Sequence, residues 1–414
     1  MKPKNSAVTS SRPTLFIAIP AMNERDYLPD TMKAIERQQT DYNFQVYICV
    51  NQPDAWWNDD EKRAICRNNE ATLHWLRTLQ NPHLHLIDHS SPGCGWDNKN
   101  YGVGYARKVL FDTIRQQAKP KDLIISLDAD TVFDDNYFQS VGDTMHQHPN
   151  WVALSVPYYH HLTDQPDVDR AILRYELYLR NYFINMFLIG SPYTFTAIGS
   201  AIVLRISALN KIGGITPVKS GEDFYLLQKL RKMGIVGNWN PVRVKPAARF
   251  SSRVFFGTGP AMIKGNAGDW SSYPIYHYSL YQEIADSYKL IDTLFTQNTE
   301  TPFFHFLEQQ FKDADLWGPI RKNYNTLPQF TKAFHQKADG LRLLQYLKQE
   351  QNRRQLSETD SLKANWQYFQ LPIPEFLSKT NTLEELSTEE LTALRDTLCH
   401  LENKLRQEEA SLRL

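Results

Sequence analysis

The stretch DLIISLDAD (Asp122–Asp130) decides how this chain folds. Leu123–Leu127 is a short, nearly apolar run closed by charged residues, the pattern of a strand buried on both faces. Four further runs share that texture. TLFIAIP (Thr14–Pro20), FQVYICVN (Phe44–Asn51) and HLHLIDH (His83–His89) precede it, and WVALSVPYY (Trp151–Tyr159) follows it. Between them, Glu24–Gln38 carries Leu28, Met32 and Ile35 at helical spacing, and Tyr105–Gln117 reads as a helix. This alternation predicts an α/β fold, a mostly parallel sheet with helices on both faces. Ligands of such sheets sit beyond the carboxyl ends of the strands. Polar residues stand at those ends: Asn23 and Glu24 after the first strand, Asn51 at the end of the second, Asp128 and Asp130 at the end of the fourth.

Composition narrows the class. The chain has 414 residues, 42% of them apolar, which is enough for two or three domains. Lys+Arg and Asp+Glu both number 46, so no bulk charge draws the chain to nucleic acid or to an anionic membrane. Recognition of phosphate then falls to local sites, and no nucleic-acid partner is expected. Cys49, Cys66, Cys94 and Cys399 show no CxxC spacing, as expected of reduced thiols in a cytoplasmic protein. Residues 1–12 are polar, predict a disordered tail and lack the apolar centre of a signal peptide. The longest apolar stretch, Tyr182–Leu204, is interrupted by Asn185, Gly190, Ser191 and Pro192, so it reads as buried protein and not as a transmembrane segment.

From about residue 285 strand-like runs give way to Lys, Gln, Glu and Leu, which predicts an α-helical C-terminal region. Ser387 and Glu390 have capping-box spacing. Leu391, Leu394, Leu398, Leu401 and Leu405 then form a short heptad seam, suited to packing on the body of the protein or to pairing in a homodimer.

The chemistry concentrates in five segments. Asp128 and Asp130, two residues apart at a strand end, can converge on one divalent cation whose other positions are filled by substrate phosphates. As a plain structural feature the same pair closes a strand through an Asx turn. Ser220-Gly221-Glu222-Asp223 opens an amphipathic helix. Its acidic residues suit the helix dipole, and one of them, held at a helix start, can take a proton from a hydroxyl. Pro20–Arg25 forms a short loop that can offer Asn23 and Glu24 to a base and ribose. In Gly93–Lys108 the glycines permit close backbone approach, while Lys99 and Arg107 can meet a diphosphate; neither a dinucleotide fingerprint nor a P-loop is present. Arg249 and Arg253 form a basic loop before Gly257, which suits either surface ion pairs or closure over phosphates. The histidines show no metal-ligand spacing.

In this order the segments resemble the family-2 glycosyltransferases of the GT-A fold. The resemblance is carried by Pro20-x-x-Asn23-Glu24, Ala106-Arg107, SLDADT (Ser126–Thr131), IGSAIVLRISALNKIGGI (Ile198–Ile215) and GEDFYLLQKLRKMG (Gly221–Gly234). It implies a catalytic domain over residues 13–284, ahead of the helical region 285–414. It also implies a nucleotide-diphospho-sugar donor, a Mn²⁺ or Mg²⁺ ion, and inverting transfer to a carbohydrate or other hydroxyl acceptor. Asp223 would be the general base, with Glu222 beside it, and Asp130 the main metal ligand. Asp128 would contact the metal or the ribose. Pro20, Asn23, Glu24 and Asn51 would line the nucleoside pocket, and Lys99, Arg107 and Arg253 would hold the diphosphate. The QxxRW segment of polymerising members is missing, so non-processive transfer is expected. Two other readings of the residues are a sugar-phosphate nucleotidyltransferase and an inactive scaffold. The first is disfavoured by PAMNER standing where its glycine-rich loop belongs.

Overall fold

A computed structural model describes residues 12–219, 221–252 and 257–412. The parallel run is as the alternation predicts, with β1 (Leu15–Ala21), β2 (Phe44–Asn51), β3 (Leu84–His89) and β4 (Leu123–Ser126) aligned. Later come β5 (Thr131–Phe133), β6 (Trp151–Ser155), β7 (Ile202–Arg205), β8 (Ile235–Gly237) and β9 (Val244–Pro246). Seven of these make one sheet in the order β3-β2-β1-β4-β7-β6-β8; β7 runs antiparallel to both neighbours, and β5 pairs with β9 apart. The expected mostly parallel α/β sheet is therefore present.

Two strands differ from expectation in ways that matter for the site. β1 does not stop at Pro20 but runs on to Ala21. Its pairing with β4 ends at Ala18, so a residue lacking an N–H is tolerated beyond that point although the strand is central. The stretch Asp122–Asp130 is not one strand. β4 ends at Ser126, the chain turns through Asp128–Asp130, and β5 leaves to meet β9. The turn frees the two carboxylates from the pleat, where alternation would have confined them to one face.

The helices interleaved with the sheet are α1 (Leu28–Glu36), α2 (Arg63–Thr78), α3 (Val103–Arg115), α4 (Tyr137–Gln147), α5 (Pro166–Leu188), α6 (Ile206–Lys211), α7 (Glu222–Met233) and α8 (Thr258–Asn266). α1 starts later than its apolar spacing suggests. Asn23 has φ of 59°, and the Glu24 carbonyl accepts from the N–H groups of Tyr27 and Leu28, which makes the entry a turn. α3 packs on β1 and β2, and α7 on β6 and β8.

The chain divides into two compact units. One contains the described residues up to His160 with Ala197–Ala247; the other contains His161–Thr196 with the described residues from Ala248 onward. This division differs from one at residue 284, because α5 and residues 248–284 group with the C-terminal helices. Of the expected tail 1–12, only Arg12 lies within the described residues, paired with Asp41 at 2.8 Å.

In the second unit the last helix, Thr388–Leu412, lies along α5. Its capping box forms in both directions, with Glu390 N–H on Ser387 Oγ at 3.2 Å and Ser387 N–H on Glu390 Oε2 at 2.8 Å. All five seam leucines are buried within the single chain, so the seam is filled by internal packing and the homodimer expectation loses its surface. The four cysteines are free thiols. Among the described residues no helix is long and apolar enough to cross a membrane.

Candidate functional site

Arg107, one turn into α3, is only 3% exposed. Its guanidinium is fully engaged. Nε donates to Ser126 Oγ at 3.1 Å, one terminal nitrogen donates to Glu222, and the other to Asp128. The acidic motif after β4 and the acidic motif opening α7 therefore meet on one arginine, although 94 residues separate Asp128 from Glu222 in sequence (222 − 128).

Glycines make this approach possible. A Cβ on Gly104 would lie 2.1 Å from the Val218 carbonyl oxygen, and one on Gly102 would lie 3.1 Å from that of Lys219. The segment entering α7 thus presses directly on the start of α3, and Lys219 Nζ stands 4.6 Å from the Tyr101 ring centre. Gly199 is the tightest case for the site, since a Cβ there would fall 2.1 Å from a terminal nitrogen of Arg107. The close backbone approach expected of the glycines is thus made, at Gly102 and Gly104, by the chain itself.

The four carboxylates differ in setting. Glu222 is 1% exposed and committed to Arg107. The Asp128 side chain is 35% exposed and reaches Arg107 from the other side. Asp130 is half-buried; its carbonyl accepts from Ala247 N–H at 3.1 Å, and the buried Thr31 hydroxyl holds the neighbouring Ala129 carbonyl at 2.9 Å. Asp223 is half-buried, with Phe224 N–H donating to its Oδ1 at 2.7 Å. Burial, and then the negative charge of Glu222, push the Asp223 carboxyl up to about 7, against the opposing pull of Arg107. Burial disfavours charge on Arg107, yet Asp128, Glu222 and Asp223 together hold its pKa above the usual value.

A second group lies at the ends of β1 and β2. Asn23 takes up left-handed backbone, which asparagine tolerates, and its N–H donates to Asn69 Oδ1 at 2.8 Å. Asn51 is 2% exposed, and its Nδ2 donates to the Ala21 carbonyl at 3.0 Å. Glu24 and Pro20 are buried. Arg25 N–H donates to Asn68 Oδ1 at 3.1 Å, and its guanidinium lies over Trp75.

One expected site residue falls elsewhere. Lys99 stands exposed in a turn closed by Asp97, whose Oδ1 accepts the Lys99 N–H at 2.7 Å, and it joins neither group of contacts. Arg253 and Ser220 lie outside the described residues. Sequence reasoning missed Gly199, Thr31 and Asn69. Gly199 could have been suspected from its place between Ile198 and Ser200 in a motif of small residues; Asn69 gave no such signal, because the helix that carries it was not read from the sequence.

The implied divalent cation can be tested against this donor set. Among the described residues no group of three or more His, Cys, Asp or Glu is placed to cage a metal. A pair of carboxylates at a strand end nevertheless fits Mg²⁺ or Mn²⁺, which need one or two protein carboxylates when substrate phosphates complete the shell. Asp130 and Asp128 would hold it.

Residues 123–271 match the family model "Glycosyl transferase family group 2". No curated protein matches the sequence. Among solved structures, S. aureus TarS 1–349 in complex with UDP-GlcNAc is 12% identical with a TM-score of 0.40, covering 96% of this chain and 92% of that one. The mannosyltransferase PcManGT from Pyrobaculum calidifontis, in complex with GDP-Man and Mn²⁺, is 13% identical with a TM-score of 0.37, covering 95% and 88%. GalNAc-T7 with UDP, GalNAc and Mn²⁺ is 14% identical with a TM-score of 0.38, covering 66% and 51%. The matched segment contains Asp128, Asp130, Glu222 and Asp223. In that segment the chain is similar to the family-2 glycosyltransferases.

Proposed function

We propose that this chain, a family-2-like glycosyltransferase of GT-A type, moves a sugar from a nucleotide-diphospho-sugar to an acceptor hydroxyl in one displacement with inversion. The observation that carries the reading is the junction at Arg107, which gathers Asp128 and Glu222 while Asp223 stands at the same cluster with its proton affinity raised. Asp223 is the general base. A carboxylate with a pKa near neutrality is suited to taking a hydroxyl proton as the bond to the anomeric carbon forms. Glu222 and Arg107 do not touch substrate in this account. Glu222 fixes Arg107, and Arg107 fixes Asp128, so the acidic turn after β4 keeps its orientation.

Asp130, with Asp128, would hold Mn²⁺ or Mg²⁺ together with the donor diphosphate. When bound, the cation offsets negative charge growing on the departing nucleoside diphosphate. Pro20, Asn23, Glu24 and Asn51 line the nucleoside end; Pro20, Glu24 and Asn51 are buried and Asn23 is half-buried. With the diphosphate leaving on one face and Asp223 acting on the other, the configuration inverts. Free thiols at Cys49, Cys66, Cys94 and Cys399 support a cytoplasmic setting.

The test is a thermal-shift screen of nucleotide-sugars with Mn²⁺ and with Mg²⁺, followed by assay of nucleoside diphosphate release. A genuine donor stabilises the fold in proportion to its concentration over Kd. Release of pyrophosphate from a nucleoside triphosphate and a sugar phosphate would transfer the chain to the nucleotidyltransferases.

A further inference from the structure

The residues proposed for the nucleoside end come from two separate loops, one after β1 and one at the end of β2. One buried side chain of α2 bonds both. Asn69, in the middle of α2, is 1% exposed and uses its whole amide. Its Oδ1 accepts the N–H of Asn23 at 2.8 Å. Its Nδ2 donates to the Asn51 carbonyl at 3.2 Å and to Gln52 Oε1 at 2.8 Å. Its neighbour Asn68 accepts the N–H of Arg25 at 3.1 Å, so consecutive helix residues hold alternate residues of the β1 loop.

Those bonds fall where the backbone needs holding. Asn23 lies at φ of 59°, a left-handed conformation that a non-glycine residue keeps where its surroundings hold it. Gln52 is fully buried, and its carbonyl accepts the N–H of Trp96 at 3.0 Å, so the β2 end also carries the loop that follows β3. Asparagine in a helix interior is unfavourable for the helix itself, because its amide competes for backbone partners. At position 69 that amide is spent entirely on the two loops.

We propose that Asn69 is a positioning residue for nucleoside recognition: by joining the Asn23 N–H to the Asn51 carbonyl and the Gln52 side chain, it sets the spacing of the two loops that receive the base and ribose of the donor. The inference rests on the nucleotide-sugar reading above and adds to it a residue outside every family motif in the chain. Asn69 touches no substrate and acts through the backbone of Asn23 and Asn51. Its loss therefore weakens the hold on the nucleoside and leaves the diphosphate and metal end, built on Asp128 and Asp130, as it was.

The experiment compares wild type with Asn69→Leu and Asn69→Asp. Affinities are measured calorimetrically for UDP and GDP, each with Mn²⁺, and for inorganic pyrophosphate with Mn²⁺; donor KM and kcat are measured in parallel. Asn69→Leu removes all three bonds. Asn69→Asp keeps the acceptor for Asn23 N–H and can accept from Gln52 once that amide turns over, and it replaces the bond to Asn51 by a carboxylate oxygen facing the Asn51 carbonyl. The expected result for Asn69→Leu is a Kd for the bound nucleotide, and a donor KM, raised about tenfold or more. Pyrophosphate affinity and kcat should move less than about twofold. Asn69→Asp should fall between Asn69→Leu and wild type. If Asn69→Leu does not fold, the aspartate variant decides alone, by raising nucleotide Kd without raising that of pyrophosphate. Wild-type nucleotide affinity in the variants would overturn the proposal, as would equal loss of nucleotide and pyrophosphate, the mark of a general structural role. Failure of the wild type to bind either nucleotide would be a different result, because it removes the nucleotide-sugar reading and this inference with it.

Discussion

Each compact unit buries a cluster of charge, and the two clusters are built differently. In the second unit Arg180 holds Glu176 and Glu402 at 2.6 Å each, and Arg406 holds Glu402 at 2.6 Å. Arg395 reaches Glu176 at 3.7 Å and Asp396 at 2.6 Å. Five of these six side chains are at most 1% exposed. In the first unit Arg107 bonds Asp128 and Glu222, with Asp223 beside them and Asp130 two residues beyond Asp128. An unpaired buried charge is costly, so ion pairs hold the second cluster together. Beside Arg107 the Asp223 carboxyl instead has its proton affinity raised, which suits the base proposed above.

The largest expected effect comes from removing the shared cation. Arg107→Met strands Glu222 in the interior and should lower stability by about 5 kcal/mol in denaturant titration, with loss of transfer. The counterpart in the second unit's cluster, Glu402→Gln, should cost about 3 kcal/mol in the same measurement yet leave turnover per folded molecule unchanged. Loss of turnover there would erase the distinction between the clusters. Smaller again is Gly199→Ala, which drives a methyl group into Arg107 and should cost about 1–3 kcal/mol, with a fall in turnover. Normal turnover and stability in that variant would show that Arg107 has room to move.

The pH dependence is the effect most specific to Asp223. Asp223 has a folded pKa raised to about 7, above the usual carboxylate value near 3.9. Its contribution to stability is therefore full at acid pH below about 4 and is lost as pH rises through about 7. Transfer has the opposite slope, since the base must be deprotonated, and kcat/KM should climb over the same interval. Stability of the ligand-free protein and kcat/KM, measured from pH 5 to 9, check both signs. Asp223→Asn should flatten the stability slope, whereas Glu402→Gln should not.

How much of this was readable in the sequence depended on whether a residue's task is local. β1 through β4 were legible because buried parallel strands are short apolar runs, and the acidic motifs because they follow such a run or open a helix. α2 was not, since in RAICRNNEATLHWLRT the buried apolar residues are only Cys66, Leu73 and Leu76. β8 and β9 have three residues each, too few to show a period. Arg107 was singled out as a phosphate ligand because sequence shows its charge but not its burial; that the charge is consumed by Asp128 and Glu222 is a fact of the fold alone. The leucine seam was visible, but what fills it was not, because α5 lies about 200 residues earlier in the chain, on the scale of a whole domain.

The measurement that bears most directly on the central claim is single-turnover transfer by Asp223→Asn, with donor affinity measured on the same preparation. The account predicts transfer slowed by about a thousandfold while the donor, with Mn²⁺, binds within about threefold of wild type. Transfer at close to the wild-type rate would contradict it, and would mean that Asp223, beside Arg107, does not take the acceptor's proton.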